Sequence, residues 1–122
     1  MQLVRRLGQL SLGAMFIKLG SDAAREPGTR PEKAAAIGVP QPELAVRANG
    51  TIMTVAGWML ATDRWPRLAA LVLAASLVPT TVAGHPFWEA PPGPERTGNT
   101  IHFLKNLGLV GGLLVVAGTS RD

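Results

Sequence analysis

Four apolar segments, separated by polar stretches that contain proline, organise this sequence of 122 residues. They cover residues 3–20, 46–62, 67–84 and 101–118. A helix needs about 20 residues, and at least about 17, to cross the hydrocarbon core of a bilayer. The third segment offers 17 consecutive residues without a charge, from Leu68 to Gly84. The other three reach the required length by including polar groups near their ends, where a cationic side chain can extend to the membrane surface: Lys18, Arg47, Asn49, Lys105 and Asn106.

The pattern predicts an all-α fold, a polytopic membrane protein in which residues 1–122 form a single four-transmembrane-helix bundle. The link between the second and third segments is short, which predicts a tight antiparallel hairpin. The other two links are Pro-rich loops on one face of the bundle, and Pro31 to Ile37 could form one short turn beginning at Pro31 in the first of them. A soluble helical bundle is the rival fold, but the third segment has few polar positions for a hydrated face.

The first segment also has the arginine pair and short apolar core of a signal peptide. A retained span is favoured, because Lys18 is poorly placed between an apolar core and a cleavage site. Cations near membrane-spanning segments are enriched on the cytoplasmic side. We therefore expect both termini and the hairpin in the cytoplasm, since five arginines lie there in few residues: Arg5, Arg6, Arg64, Arg67 and Arg121.

Composition narrows the function classes. Only 16% of residues are charged, below the roughly 25% of an average soluble domain. The chain has no cysteine, which excludes a disulfide, a thiolate metal site, an iron–sulfur cluster and a catalytic thiol within it. The net charge of +4 is scattered rather than clustered, so nucleic acid is not an expected partner. Whether the chain is an enzyme stays open, because no catalytic motif can be recognised.

Spacing of small residues predicts helix packing. Gly108 and Gly112 lie four apart, as do Ala70 and Ala74, and small residues at that spacing let helix backbones approach in lipid. Pro79 removes one hydrogen bond from the third segment and predicts a kink there, with the following threonines available to the freed carbonyl.

The most distinctive polar residues cluster at the predicted outward end of the third and fourth segments. The stretches PTTVAGHPFWE and IHFLKNLGLVGGLL bring five candidate cofactor-binding residues to this end: His85, Trp88, His102, Lys105 and Asn106. Ionisable groups at such a position are candidate functional sites, and a shared helix face would present the last three together. Glu89 is the nearest partner for Lys105. A quinone carbonyl or an anionic headgroup would suit this cluster.

Other interpretations stay open. Interfacial His and Trp are often structural, Lys105 could extend to the membrane surface, and Asn106 could bond a neighbouring helix. Bis-histidine haem through His85 and His102, and zinc or iron bound by these two with Glu89, are chemically conceivable but less favoured, so no metal site is predicted.

These motifs resemble those of the DoxX family of small bacterial membrane proteins. The stretches RWPRLAALVLAASLVPTTVAGHPFWE, IHFLKNLGLVGGLL, FIKLGSDAA and IGVPQPELAVRANG carry the resemblance, which is nearest to the actinobacterial branch. The resemblance implies a four-helix protein of the bacterial plasma membrane. It also implies a relation to a subunit of a thiosulfate:quinone oxidoreductase and to a membrane complex that joins superoxide detoxification to thiol and sulfur metabolism. The absence of cysteine departs from any member that uses a thiol.

We therefore expect a membrane subunit or docking platform of an oxidoreductase system, with a quinone as the candidate cofactor. Its partners would be the lipid bilayer and other proteins of a membrane complex. The alternative is a non-catalytic structural or accessory subunit of a larger complex. A small carrier or lipid-binding bundle is a third option.

Overall fold

A computed structural model describes residues 1–120, which form five helices and no strand. In chain order they are α1 (Gln2–Arg25), α2 (Arg30–Ala36), α3 (Pro42–Ala61), α4 (Pro66–Gly84) and α5 (Pro94–Thr119). The four long helices contain nearly all of the four apolar segments, and the short α2 lies in the first polar stretch. Proline occupies one of the first two positions of α2, α3, α4 and α5, where its missing N–H leaves no hydrogen bond unmade. Arg121 lies outside the described residues.

Two of the described helices, α4 and α5, are long and apolar enough to cross a membrane. Helices α1 and α3 are not identified by the same criteria of length and apolar composition. Helix α1 carries ionisable residues toward both of its ends, and α3 carries Glu43 and Arg47 near its N-terminus. The all-α prediction is confirmed, whereas length and composition by themselves identify only these two helices as candidate spans.

Helices α1 and α3 are antiparallel and touch backbone to backbone through glycines. A Cβ atom on Gly13 would lie 2.6 Å from the carbonyl oxygen of Gly57, and one on Gly20 would lie 2.6 Å from that of Gly50. Gly13 and Gly20 are seven residues apart on α1, and Gly50 and Gly57 are seven residues apart on α3. Seven residues make about two turns, so the two glycines of each helix lie on the same face of that helix. At these glycines, the contact between the two backbones leaves no room for a side chain.

One core joins the four long helices. Phe16 of α1, Leu60 of α3, Leu73 of α4 and Leu113 of α5 are each fully buried and belong to a single apolar cluster. Small residues complete it on α4, where the predicted packing pair Ala70 and Ala74 is buried. The other predicted pair differs, because a Cβ on Gly108 or Gly112 would meet nothing within 4 Å.

Arginine side chains from neighbouring helices bind the carbonyl groups at helix C-termini. Arg67 of α4 donates from Nε to the carbonyl oxygen of Ala117 at 2.9 Å and from Nη2 to that of Ser120 at 2.6 Å. At the opposite end of the bundle, Arg47 of α3 donates to the carbonyl oxygen of Ala24 at 2.8 Å. Cations are favourable there because the last carbonyls of a helix lack partners and carry partial negative charge.

The α3–α4 hairpin is joined to α1 in the same way. Arg6 donates to the carbonyl oxygen of Ala61 at 3.1 Å. The fully buried Gln9 donates from Nε2 to the Leu60 carbonyl oxygen at 3.1 Å and to Oδ1 of Asp63 at 2.9 Å. Two of the arginines that indicated the side of the membrane, Arg6 and Arg67, therefore also have structural hydrogen bonds, and the sequence pattern did not single out Gln9.

The glycine contact predicts unequal effects of two matched substitutions. Gly20→Ala places a methyl group against backbone, so we expect a loss of about 1–3 kcal/mol in the free energy of unfolding, the usual range for overpacking. Gly108→Ala is the control, because it meets nothing and gains helix propensity of up to about 1 kcal/mol. Unfolding of both variants in mixed detergent micelles measures the difference. Equal stabilities would contradict the close α1–α3 contact.

Candidate functional site

The end of α4, the loop that follows it and the first turns of α5 form one end of the bundle, which we call the mouth. It is defined by His85, Phe87, Trp88, His102 and Phe103. Helix α4 ends at Gly84, where the His85 N–H donates to the Thr81 carbonyl oxygen at 2.9 Å and proline follows. Since α5 returns antiparallel to α4, residues 17 positions apart in the sequence meet here.

The two histidines of the chain stack on each other at the mouth. Their ring centroids are 4.9 Å apart and the ring planes are inclined by 24°. His85 is partly buried and His102 is exposed. Burial lowers the pKa of His85, and the charges of His102 and Lys33 lower it further, against the opposing effect of Asn99. His85 is therefore neutral near pH 7, with one ring nitrogen able to donate and the other able to accept a hydrogen bond.

Three aromatic rings pack edge to face beside the histidine pair. Phe87 lies 5.2 Å from both Trp88 and Phe103, and Trp88 lies 5.9 Å from Phe103, measured between ring centroids. The planes are inclined by 76–88°, the geometry that aromatic quadrupoles favour. Trp88 keeps 47% of its surface exposed. Phe103 was not among the predicted site residues, although its place directly after His102 was the available signal.

Lys105 and Asn106 lie in different surroundings. Asn106 donates from Nδ2 to Oγ1 of Thr81 at 3.0 Å, so it bonds α5 to α4. Lys105 is exposed, and within residues 1–120 it makes no ion pair with Glu89 or with any other carboxylate. Of the three residues expected on one face, His102 and Lys105 are thus available to a ligand, whereas Asn106 makes an interhelical hydrogen bond.

A second amide side chain, from α3, bonds the threonine adjacent to Thr81. Asn49 of α3 donates to Oγ1 of Thr80 at 3.1 Å, one residue before the threonine that Asn106 binds and one after Pro79. Both threonines also donate to the carbonyl groups four residues earlier. The two amides thereby tie α3 and α5 to the last turns of α4, which carry His85 at their end.

The histidine pair can be compared with the geometry that a metal ion or a haem requires. In the described part of the chain, no three His, Asp or Glu side chains lie close enough to hold a metal ion, and Glu89 does not join the histidine pair in such a group. Bis-histidine ligation places a macrocycle between the two imidazoles, and these rings would have to separate to admit one.

The two amide–threonine hydrogen bonds predict a specific coupling. In a double-mutant cycle, Asn106→Ala with Thr81→Val should show an interaction energy of about 0.6 kcal/mol, up to roughly 1.7 kcal/mol, as measured for polar pairs in membranes. Asn106→Ala with Thr80→Val should show none, because Thr80 bonds Asn49 instead. Unfolding in mixed micelles provides the energies. Equal coupling in both cycles would refute the separate pairing.

Comparison with known proteins identifies the chain. A family model described as DoxX matches residues 4–86, which include most of α1, all of α2 to α4, and His85. Trp88, His102, Lys105 and Asn106 follow the matched segment. A search of curated proteins and a search of solved structures each gave no match. Because the family match covers more than half of the sequence, this chain belongs to the DoxX family of small membrane proteins.

Proposed function

We propose that this protein is a four-span subunit of a bacterial plasma-membrane oxidoreductase system, and that its mouth binds the ring of a quinone. The observation that carries the proposal is the group of three aromatic rings beside a stacked histidine pair, at the end of two apolar helices. The sequence resemblance supports the oxidoreductase context. The chain's own residues supply no redox centre, so electrons would pass between the quinone and a partner protein.

The mouth offers what a quinone headgroup needs. The flat ring would pack against Trp88 and Phe103, and its apolar tail would follow the exposed leucines of α5, Leu104 and Leu107. Its carbonyl oxygens would accept hydrogen bonds from an imidazole N–H and from the Lys105 ammonium group. Neutral His85 could accept a proton from the reduced form, which makes it the candidate proton acceptor of the site.

The shared core supports four spans. Because α1 and α3 each contribute a fully buried side chain to the same cluster as α4 and α5, we place all four in the bilayer. Their charges lie near helix ends and pair locally: Lys18 lies 3.1 Å from Asp22, and Arg47 lies 3.3 Å from Glu43. Pairing at the membrane surface reduces the free-energy cost of such groups. The count of cations places both termini in the cytoplasm.

Single-cysteine labelling tests this topology, because the chain has no cysteine of its own. With a membrane-impermeant maleimide on intact cells, we expect Thr29→Cys to react and Thr62→Cys to react only after permeabilisation. Both threonines are exposed, so intrinsic accessibility is matched. If Thr62→Cys reacted on intact cells and Thr29→Cys reacted only after permeabilisation, the orientation would be the opposite of the one proposed. Equal labelling of both would mean that α3 does not separate them by a bilayer.

Quinone content tests the ligand. Protein purified in mild detergent should carry extractable quinone, and Trp88→Ala should weaken quinone binding about threefold to tenfold, the value of one aromatic contact. Lys105→Ala should weaken it as well, because a carbonyl oxygen loses its charged donor. Trp65→Ala is the matched control, since Trp65 is exposed in the hairpin at the other end. Quinone-free protein, or equal loss in the control, would contradict the proposal.

A non-catalytic packing subunit is the second candidate, and α5 favours it. Within the described residues, only Leu113 and Ala117 of this helix are buried in helix packing, and its glycines touch no other part of the chain. A partner helix could pack closely there. In this case the protein would co-purify with partners in fixed ratio and without quinone, and Gly112→Leu would disrupt assembly more than Lys105→Ala.

A further inference from the structure

The histidine stack is a direct link between the α4–α5 loop and α5. His85 begins the loop and His102 lies on the helix, with the rings 4.9 Å apart. The next loop residues, Phe87 and Trp88, contact α5 through Phe103. Residues 85–88 are therefore held on α5 by one imidazole pair and two aromatic contacts. A force that separates the imidazoles acts on the whole aromatic group.

The charged groups around the stack do not neutralise it. Helix α2 packs against α4 and contributes Lys33, whose charge acts on His85. Helix α5 contributes Lys105, and the loop contributes Glu89, which is exposed and makes no ion pair in the described chain. On α3, Glu43 pairs with Arg47. Within residues 1–120, no carboxylate lies within ion-pair distance of either imidazole, so two imidazolium charges would repel with little compensation.

The stability of the stack must therefore decrease as the pH decreases. Burial, the charge of His102 and the charge of Lys33 lower the pKa of His85 in the stacked arrangement, so the separated arrangement binds protons more readily. By linkage, the stack keeps its full stability above the ordinary histidine pKa of about 6.5 and loses it as the pH falls below that value.

We propose that the His85–His102 stack is a pH-operated latch, which holds residues 85–88 on α5 while the His85 imidazole is neutral and releases them when it is protonated beside His102. Release separates Phe87 and Trp88 from Phe103. Acidification on this side of the membrane would thus open the mouth. The consequence for a ligand rests on the quinone site proposed above, whereas the opening itself does not.

Trp88 reports the opening in ligand-free protein. The other two tryptophans, Trp58 and Trp65, are exposed and can be replaced by phenylalanine, which leaves Trp88 as the sole tryptophan. Titration from about pH 8 to about pH 5 brackets the histidine pKa. We expect a red shift of its emission and an increase of about twofold in its acrylamide quenching, because its exposed fraction would rise from 47% toward full exposure.

Variants show whether the histidines cause the change. His85→Gln removes the imidazole whose protonation opens the latch, so the transition should disappear. His102→Gln removes one of the charges that lower the His85 pKa, whereas burial and Lys33 still lower it, so the transition should move to lower pH. Lys33→Gln keeps both histidines and removes one of the charges that lower the His85 pKa in the stacked arrangement. The stack then loses less stability when His85 is protonated, so the transition should move to lower pH. Lys33 is exposed, so this variant keeps the test valid if a histidine variant does not fold. No transition in the parent protein, or an unchanged one in His102→Gln, overturns the latch.

The two proposals fail separately. If the Trp88 transition occurs but no quinone binds at any pH, the quinone site falls and the latch stands. If quinone binds and Trp88 shows no transition, the latch falls and the quinone site stands.

Discussion

Backbone contact between α1 and α3 is the constraint on which the rest of the bundle depends. Four glycines allow it, two on each helix. A methyl group on Gly13, Gly20 or Gly50 would collide with the partner backbone, and one on Gly57 would be in tight contact with it. At this separation Phe16 reaches the common core, Gln9 reaches the hairpin carbonyl groups, and Arg47 reaches the end of α1. Glycine weakens an isolated helix, so its repeated use here reflects the gain from close packing, which is the main source of helix association where lipid gives no hydrophobic drive.

Several polar groups of one helix bond to groups of another helix. The arginines of one helix bind the terminal carbonyl groups of another at both ends of the bundle, and two asparagines bond the adjacent threonines behind Pro79. An unpaired backbone group is costly away from water, so these side chains also fix how the helices are placed along their axes. The last turns of α4, which carry His85, are bound from both sides for this reason.

Chemistry at the mouth follows from that placement. The antiparallel return of α5 brings His102 onto His85 and Phe103 onto the loop aromatics, and α2 brings a lysine charge close to the pair. A neutral imidazole beside flat apolar rings suits a ligand that is both aromatic and proton-exchanging. The same closeness makes the pair sensitive to protonation. The proposed ligand recognition and the proposed pH response would therefore have a common geometric origin in the meeting of two helix ends.

The sequence by itself determined where the long helices lie and that α3 and α4 form a hairpin, and it indicated that a short turn could begin at Pro31. It also placed the chain with small membrane proteins of one family. These results could be obtained because length, hydropathy, proline positions and motifs are local properties of the sequence. It named the histidines and Trp88, which stay predicted as ligand contacts. Only the tertiary structure decided which helix faces meet. Glycines of α1 and α3 rather than Gly108 and Gly112 make the close contact, Gln9 is buried, and Asn106 turns to Thr81 while Lys105 stays exposed. The physical reason is that apolar residues cover every side of a helix in lipid, so periodicity along the chain does not distinguish a side that packs on protein from one that faces the bilayer.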